Sequence, residues 1–179
     1  KLIVEQAGRC KKIVGGLLNF ARKSQVNHQL VNIKELVTHS LESVIVPENA
    51  TVKIADQAGN PEAMLDSEQM IQVLSNLIKN ALDAMPGGGE INILLEDSLS
   101  DVTITVGDSG TGIKEEDRVK IFEPFYTTKG LGHGTGLGLA TTYGIVKMHK
   151  GQITVESNTD PARGPTGTKF KIVLPRRKE

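Results

Sequence analysis

Asp108 closes the segment VTITVGD and is followed at once by SGTG. Val102, Ile104, Val106 and Asp108 share parity, so on an extended strand the carboxylate points to the face that carries three apolar side chains. A charge in that position is unfavourable unless a hydrogen-bond donor meets it. Gly110 and Gly112 let the backbone turn tightly just beyond and let a flat ligand lie against it; an exposed Asp-Ser-Gly turn is the plainer alternative. Upstream, Gln72, Asn76, Asn80 and Asp83 fall in one narrow helical stripe, opposite Ile71, Leu74, Ile78, Ala81 and Met85. Short amides and one carboxylate are oxygen donors that suit a hard cation such as magnesium, which takes few protein ligands. A merely polar helix face reads the same way.

Two further stretches carry chemistry. In GLGHGTGLGLA, Gly132, Gly134, Gly136 and Gly138 alternate with Leu131, His133, Thr135 and Leu137 before the chain turns helical. Without a Gly-Lys-Ser or Gly-Lys-Thr this is not the usual P-loop, and strict alternation does not fit the dinucleotide fingerprint. It does offer bare backbone amides leading into a helix N-terminus, where partial positive charge favours a polyphosphate; a mobile loop of glycine turns is the alternative. In FEPFYTTK, Phe122, Phe125 and Tyr126 precede Lys129. Aromatic anchors would let Lys129 swing onto phosphate oxygens, whereas a hydrophobic plug with a surface lysine needs no ligand.

These segments need a scaffold. Ile3, Ala7, Cys10, Val14, Leu17 and Ala21 recur at helical spacing, weakened by Gly8, Gly15 and Gly16, so an N-terminal helix that needs a packing partner is expected. A second helix is read over 34–46, a strand over 51–56, and a long helix from Ser67 to the stop at Pro86 and three glycines. INILLED and VTITVGD form a hairpin around SLSD; a short helix near 115–120 precedes the aromatic loop. A helix runs from the glycines to about His149, and strands GQITVES and GTKFKIVLP end the chain. The expected architecture is a two-layer α/β sandwich, a mixed sheet covered by helices on one face.

The chain's 179 residues suit one main domain with an appendage. With 21 basic and 21 acidic residues, no general attraction to nucleic acid or to a membrane surface is expected. One cysteine and four scattered histidines argue against disulfides and a zinc cluster, fitting a cytoplasmic setting. No apolar run reaches the roughly 20 residues of a membrane span. The start at Lys1, inside a periodic pattern, suggests a piece of a longer protein.

In order, NLIKNALDAM, DSGTGI, FEPFYTTK and GHGTGLGLA resemble the N box, first glycine box, F box and second glycine box of sensor histidine kinases. Their ATP-binding domain has the Bergerat fold shared with DNA gyrase B, MutL and a heat-shock chaperone. The resemblance covers roughly residues 31–175. Upstream, GRCKKIVGGLLNFAR resembles the second helix of the dimerisation and phosphotransfer hairpin, which implies a division at residues 1–25 and 26–179. The TTK and DAMPGGG segments look most like kinases of the nitrogen-regulator type.

The resemblance implies that Asn80, helped by Asn76, holds the magnesium of Mg-ATP, with Asp83 beside them. Asp108 would accept the adenine amino group next to Thr168, and Gly110, Gly112 and Ile113 would pass beneath the base. Lys129, Gly132, Gly134, Thr135, Gly136, Leu137 and Gly138 would enclose the phosphates. It implies transfer of the γ-phosphoryl to a histidine, then to a response-regulator aspartate, in a protein that dimerises through its helical hairpin. The acceptor histidine is absent: His28 follows the FAR helix, has Gln29 where an acid belongs and lacks the proline, and His39, His133 and His149 fit no better. A MutL-like ATPase would carry a glutamate a turn before Asn80, where Asn76 stands. A serine kinase of the anti-sigma type would lack the FAR helix, and an ATP-sensing interaction module remains a third reading.

Overall fold

A computed structural model describes residues 26–130 and 134–176. The expected N-terminal helix and the proposed boundary at residue 26 therefore lie outside, or at the edge of, the described residues. The elements are β1 (Gln29–Asn32), α1 (Ile33–Glu42), β2 (Ala50–Asp56), β3 (Glu62–Leu65), α2 (Ser67–Asp83), β4 (Gly89–Asp97), β5 (Asp101–Asp108), α3 (Glu115–Arg118), α4 (Gly138–Met148), β6 (Gln152–Asn158) and β7 (Gly167–Pro175). A 3₁₀ turn, Pro161–Arg163, precedes β7.

Five strands form one sheet in the order β2-β4-β5-β7-β6. The β2–β4 pair is parallel and the other three pairs are antiparallel, so the sheet is mixed as expected. Ile91, Ile93, Leu95, Val102, Ile104, Val106, Phe170, Ile172 and Leu174 are buried under the helices. Lys169 and Lys171, of opposite parity on β7, are exposed. One face is core and the other meets water, which is the reason for the period-two pattern.

The long helix reads from sequence because it is long and two-sided. Asp66 caps it, its Oδ1 accepting from Gln69 N at 3.0 Å, and Met70, Val73, Leu74, Leu77, Ile78 and Ala81 are buried. α1 stops four residues earlier than its apolar spacing suggests. The Ser43 hydroxyl donates to Ser40 O at 2.7 Å, and Pro47 disfavours helix just beyond. The small antiparallel pair β1–β3 is a feature that the sequence did not announce. Among the described residues no helix is long and apolar enough to cross a membrane.

His149, at the C-terminal end of α4, ties the helices together. It is 2% exposed; its Nδ1 faces Ile145 O at 2.9 Å and its Nε2 accepts from Asp66 N at 3.0 Å. These partners demand the neutral ring with its proton on Nδ1. Burial holds its pKa below 6.5, and nearby His28, its ring 5.7 Å away, pushes in the same direction, against the Ile145 carbonyl and Asp66. The folded state thus binds fewer protons than the unfolded chain, so this contribution is full above about pH 6.5 and is lost as pH falls through that value. Urea denaturation at a series of pH values should show wild-type stability falling between pH 7 and 5.5 more steeply than in His149→Gln. Equal slopes would contradict a buried neutral histidine.

Candidate nucleotide site

The carboxylate that opened the sequence analysis sits at the end of β5, half-buried and in register with Thr168 of β7. Its Oδ1 accepts from Gly110 N at 2.8 Å and from Thr168 N at 3.2 Å. Burial pushes its pKa upward, while those two N–H groups pull it down. The chain therefore supplies donors of its own to this charge, as a half-buried carboxylate requires. Both converge on Oδ1; among the described residues Oδ2 takes no hydrogen bond.

Two glycines beside it answer to the chain as well. A methyl group on Gly110 would lie 2.7 Å from Ala84 O. Gly112, with φ +74°, would place one 2.3 Å from Asn158 O. The first glycine segment is thus held between the end of α2 and the end of β6; Thr111 N donates to Ala84 O at 3.3 Å. Ile113 N donates to Ser157 Oγ at 2.7 Å.

Farther up α2, the amide stripe meets the lysine loop and α4. Asn76 Nδ2 donates to Gly138 O at 3.3 Å. Lys129 Nζ donates to Asn80 Oδ1 at 3.2 Å and to Asp83 Oδ2 at 2.5 Å. The loop is anchored by Phe122, whose ring lies 5.2 Å from that of Tyr143 and 6.5 Å from that of Phe170. Tyr126 donates its phenol proton to Asp117 Oδ1, a bond that with some burial pushes its pKa up to about 12. Phe125, grouped with these anchors in the sequence, is instead 54% exposed and has φ +69°.

α4 begins without a side-chain cap at Leu137; among the described residues the local acceptor is Thr135 Oγ1, 3.4 Å from Leu137 N. Among the described residues no side chain caps the helix's first N–H groups, which leaves them suited to an anion. Of the alternating glycines, Gly132 lies outside the described residues. Gly136 has φ +67° and a methyl there would fall 2.3 Å from the Phe125 carbonyl carbon, while its own oxygen accepts from Phe125 N at 2.9 Å. A methyl on Gly134 would meet Thr127 Oγ1 at 2.7 Å, whereas at Gly138 nothing lies nearer than Asn76 Cγ at 3.9 Å. Gly136 serves the clasp between two loops; at Gly138 a methyl group would make only ordinary contact with Asn76.

Sequence reasoning missed Ser157. Its hydroxyl joins Ile113, Gly167 and Thr168, and its one signal is parity with buried Ile153 and half-buried Val155 on β6.

Fold and site define an ATPase class: the chain belongs to the histidine kinase-, DNA gyrase B-, and HSP90-like ATPase family, whose profile matches residues 65–178. Its relatives are sensor kinases. It is 34% identical over 178 residues to the sensor histidine kinase ZraS of Escherichia coli K12, covering 98% of this chain and 37% of ZraS. It is also 34% identical over 180 residues to sporulation kinase A of Bacillus subtilis, covering 98% of this chain and 28% of that kinase. The chain thus spans little more than a third of these relatives at most. The catalytic domain of histidine kinase ThkA, in a nucleotide-free form, superposes with a TM-score of 0.73 at 32% identity, covering 84% of this chain and 96% of that one. ThkA in complex with the response regulator TrrA superposes with a TM-score of 0.76 at 27% identity, covering 98% of this chain and 50% of that one.

The two glycines make separable predictions. Gly138→Ala should leave the ligand-free domain as stable as wild type, or stabilise it by up to ~1 kcal/mol through helix propensity, while weakening ATP. Gly136→Ala should perturb the ligand-free domain itself. Thermal denaturation and calorimetric ATP titration of both variants check this; unchanged ATP affinity in Gly138→Ala would remove α4's N-terminus from the site.

Proposed function

We propose that residues 26–179 are the catalytic, ATP-binding portion of a sensor histidine kinase and that residues 1–25 are the second helix of its dimerisation hairpin. One observation carries the reading. A half-buried carboxylate and an uncapped helix end are held at two points of the same helix, α2. Ala84 touches the Asp108 end and Asn76 the Gly138 end, eight residues or roughly 12 Å apart along the axis. That span accommodates a base at one end and phosphates at the other.

In this reading Asp108, through Oδ2, accepts the adenine amino group, with Thr168 beside it and Gly110, Gly112 and Ile113 forming the floor. Thr135, Leu137 and Gly138 present backbone amides to phosphate, Gly134 and Gly136 shape that loop, and Lys129 neutralises charge. Asn80, with Asn76 and Asp83 nearby, offers oxygens that would suit a divalent cation. The fit of such a cation has support in the chain, since the Lys129 ammonium already rests on the oxygens of Asn80 and Asp83. Asn80, with Asn76 and Asp83 nearby, would hold a magnesium ion there, whose charge would offset that of the phosphates. Lys129, whose ammonium rests beside these residues, would turn onto the phosphate chain.

The chain's residues act by positioning and electrostatics, with no covalent intermediate. The bond from the γ-phosphorus to the ADP oxygen breaks as a bond to an imidazole nitrogen forms, and the imidazole's other nitrogen releases its proton. The acceptor imidazole belongs to a hairpin helix beyond this chain, and a receiver-domain aspartate takes the phosphoryl next. A cytoplasmic location and dimerisation through the hairpin belong to the same proposal. A MutL-like hydrolase is disfavoured by Asn76, whose amide is tied to Gly138 and cannot act as a base.

Mixing this chain with a separate histidine-bearing hairpin and labelled ATP tests the proposal. Acid-labile, base-stable label should appear on the hairpin and none on this chain alone. Hydrolysis of ATP with no transfer would contradict it.

A further inference from the structure

Cross-strand register places Asp108 of β5 opposite Thr168 of β7, and Thr168 opposite Ser157 of β6. Residues directly opposite in a ladder share a face, so these three polar side chains form one row across the sheet. The next row, Val106, Phe170 and Val155, is apolar. The row thus marks where the core face ends and the nucleotide site begins.

Proton bookkeeping along it has one solution. Ser157 Oγ lies 2.7 Å from Ile113 N, 2.8 Å from Gly167 O and 3.0 Å from Thr168 Oγ1. An amide can only donate and a carbonyl can only accept. Ser157 therefore accepts from Ile113 and gives its single proton to Gly167, and its contact with Thr168 must be donated by Thr168. The serine hydroxyl is then saturated, with one bond given and two received. Thr168, only 4% exposed, has its proton turned away from Asp108 and keeps lone pairs for the other side. Asp108 Oδ1 is likewise filled by Gly110 N and Thr168 N.

We propose that Ser157 is a positioning residue for base selection. By taking the Thr168 proton it turns the row into an acceptor-only edge, and by holding Ile113 N it fixes the first glycine segment against that edge. Such an edge takes a purine that presents an exocyclic amine and rejects one that presents an oxo group, because two acceptors face each other without a proton. Without Ser157 the Thr168 hydroxyl is free to rotate and donate. This rests on the nucleotide reading above, and the test separates the two.

Affinities for ADP and for inosine diphosphate, which differ in the exocyclic group and in the proton on the adjacent N1, are measured by calorimetry in wild type, Ser157→Ala and Ser157→Thr. Wild type should prefer ADP. Ser157→Ala should lose about tenfold in ADP affinity, the scale of one net hydrogen bond, and its preference over inosine diphosphate should shrink. Ser157→Thr, which keeps the hydroxyl, should restore the preference. If Ser157→Ala weakens both ligands by the same factor, the residue is merely structural and the inference falls, while the nucleotide reading stands. Wild type that binds neither nucleotide would overturn both. Should Ser157→Ala not fold, the unmodified domain decides by nuclear magnetic resonance. A slowly exchanging Thr168 hydroxyl proton close to the Ser157 β-protons is expected, and a hydroxyl in rapid exchange with water would overturn the assignment.

Discussion

The constraint on which the rest depends is a carboxylate placed at the end of an apolar strand face. Ionised Asp108 is partly desolvated, and burial pushes its pKa upward. The surroundings only partly offset this. Two N–H groups, from a glycine loop and from β7, converge on one of its oxygens. To deliver them, Gly110 must lie against Ala84 and β7 must pair with β5 in the observed register. The other oxygen is left for a ligand that donates. A binding group held at some expense to the empty fold is a common way to obtain selectivity.

The second organising element is α2. One face is core, and the other carries the amides that meet Gly138 and Lys129. In the proposed reading one rigid helix bears both the base end and the phosphate end, so the spacing between them is fixed by its rise per residue. The far ends of α2 and α4 are joined by the His149–Asp66 bond, with the His28 ring tilted against that of His149. Asn27 N also donates to Asp66, at 3.1 Å. The segment that enters the domain therefore rests on the two helices that carry the site.

Much of this was legible from the sequence where a pattern is long or local. The seventeen residues of α2 carry enough periods to show both faces, and β4 and β5 announce a hairpin by their short connection. What stayed hidden depends on distant pairing. Strands β1 and β3 have four residues each and are separated by a helix and another strand. Strand length alone cannot show a period there, and only tertiary pairing stabilises them. The glycines show a subtler limit. Their spacing suggested ligand approach at every position, yet Gly110, Gly112 and Gly136 are required by Ala84, Asn158 and Phe125. Gly138 alone among these four would accept a methyl group without a close contact among the described residues. Ser157 was missed because a lone serine on a strand has no signal until its neighbours are known.

The measurement that bears most directly on this account compares Asp108→Asn with wild type, by denaturation without nucleotide and by calorimetric titration with ATP. Asparagine keeps an acceptor for the Gly110 and Thr168 amides but presents a donor where, in the proposed reading, the adenine amine donates. Because the folded pKa of Asp108 lies above 3.8, its ionisation opposes folding at neutral pH, and that penalty disappears below the unfolded value. The account predicts a ligand-free variant at least as stable as wild type at pH 7, with ATP binding weakened by about 1.5–3 kcal/mol. ATP affinity equal to wild type, or a ligand-free variant that is markedly less stable, would contradict it.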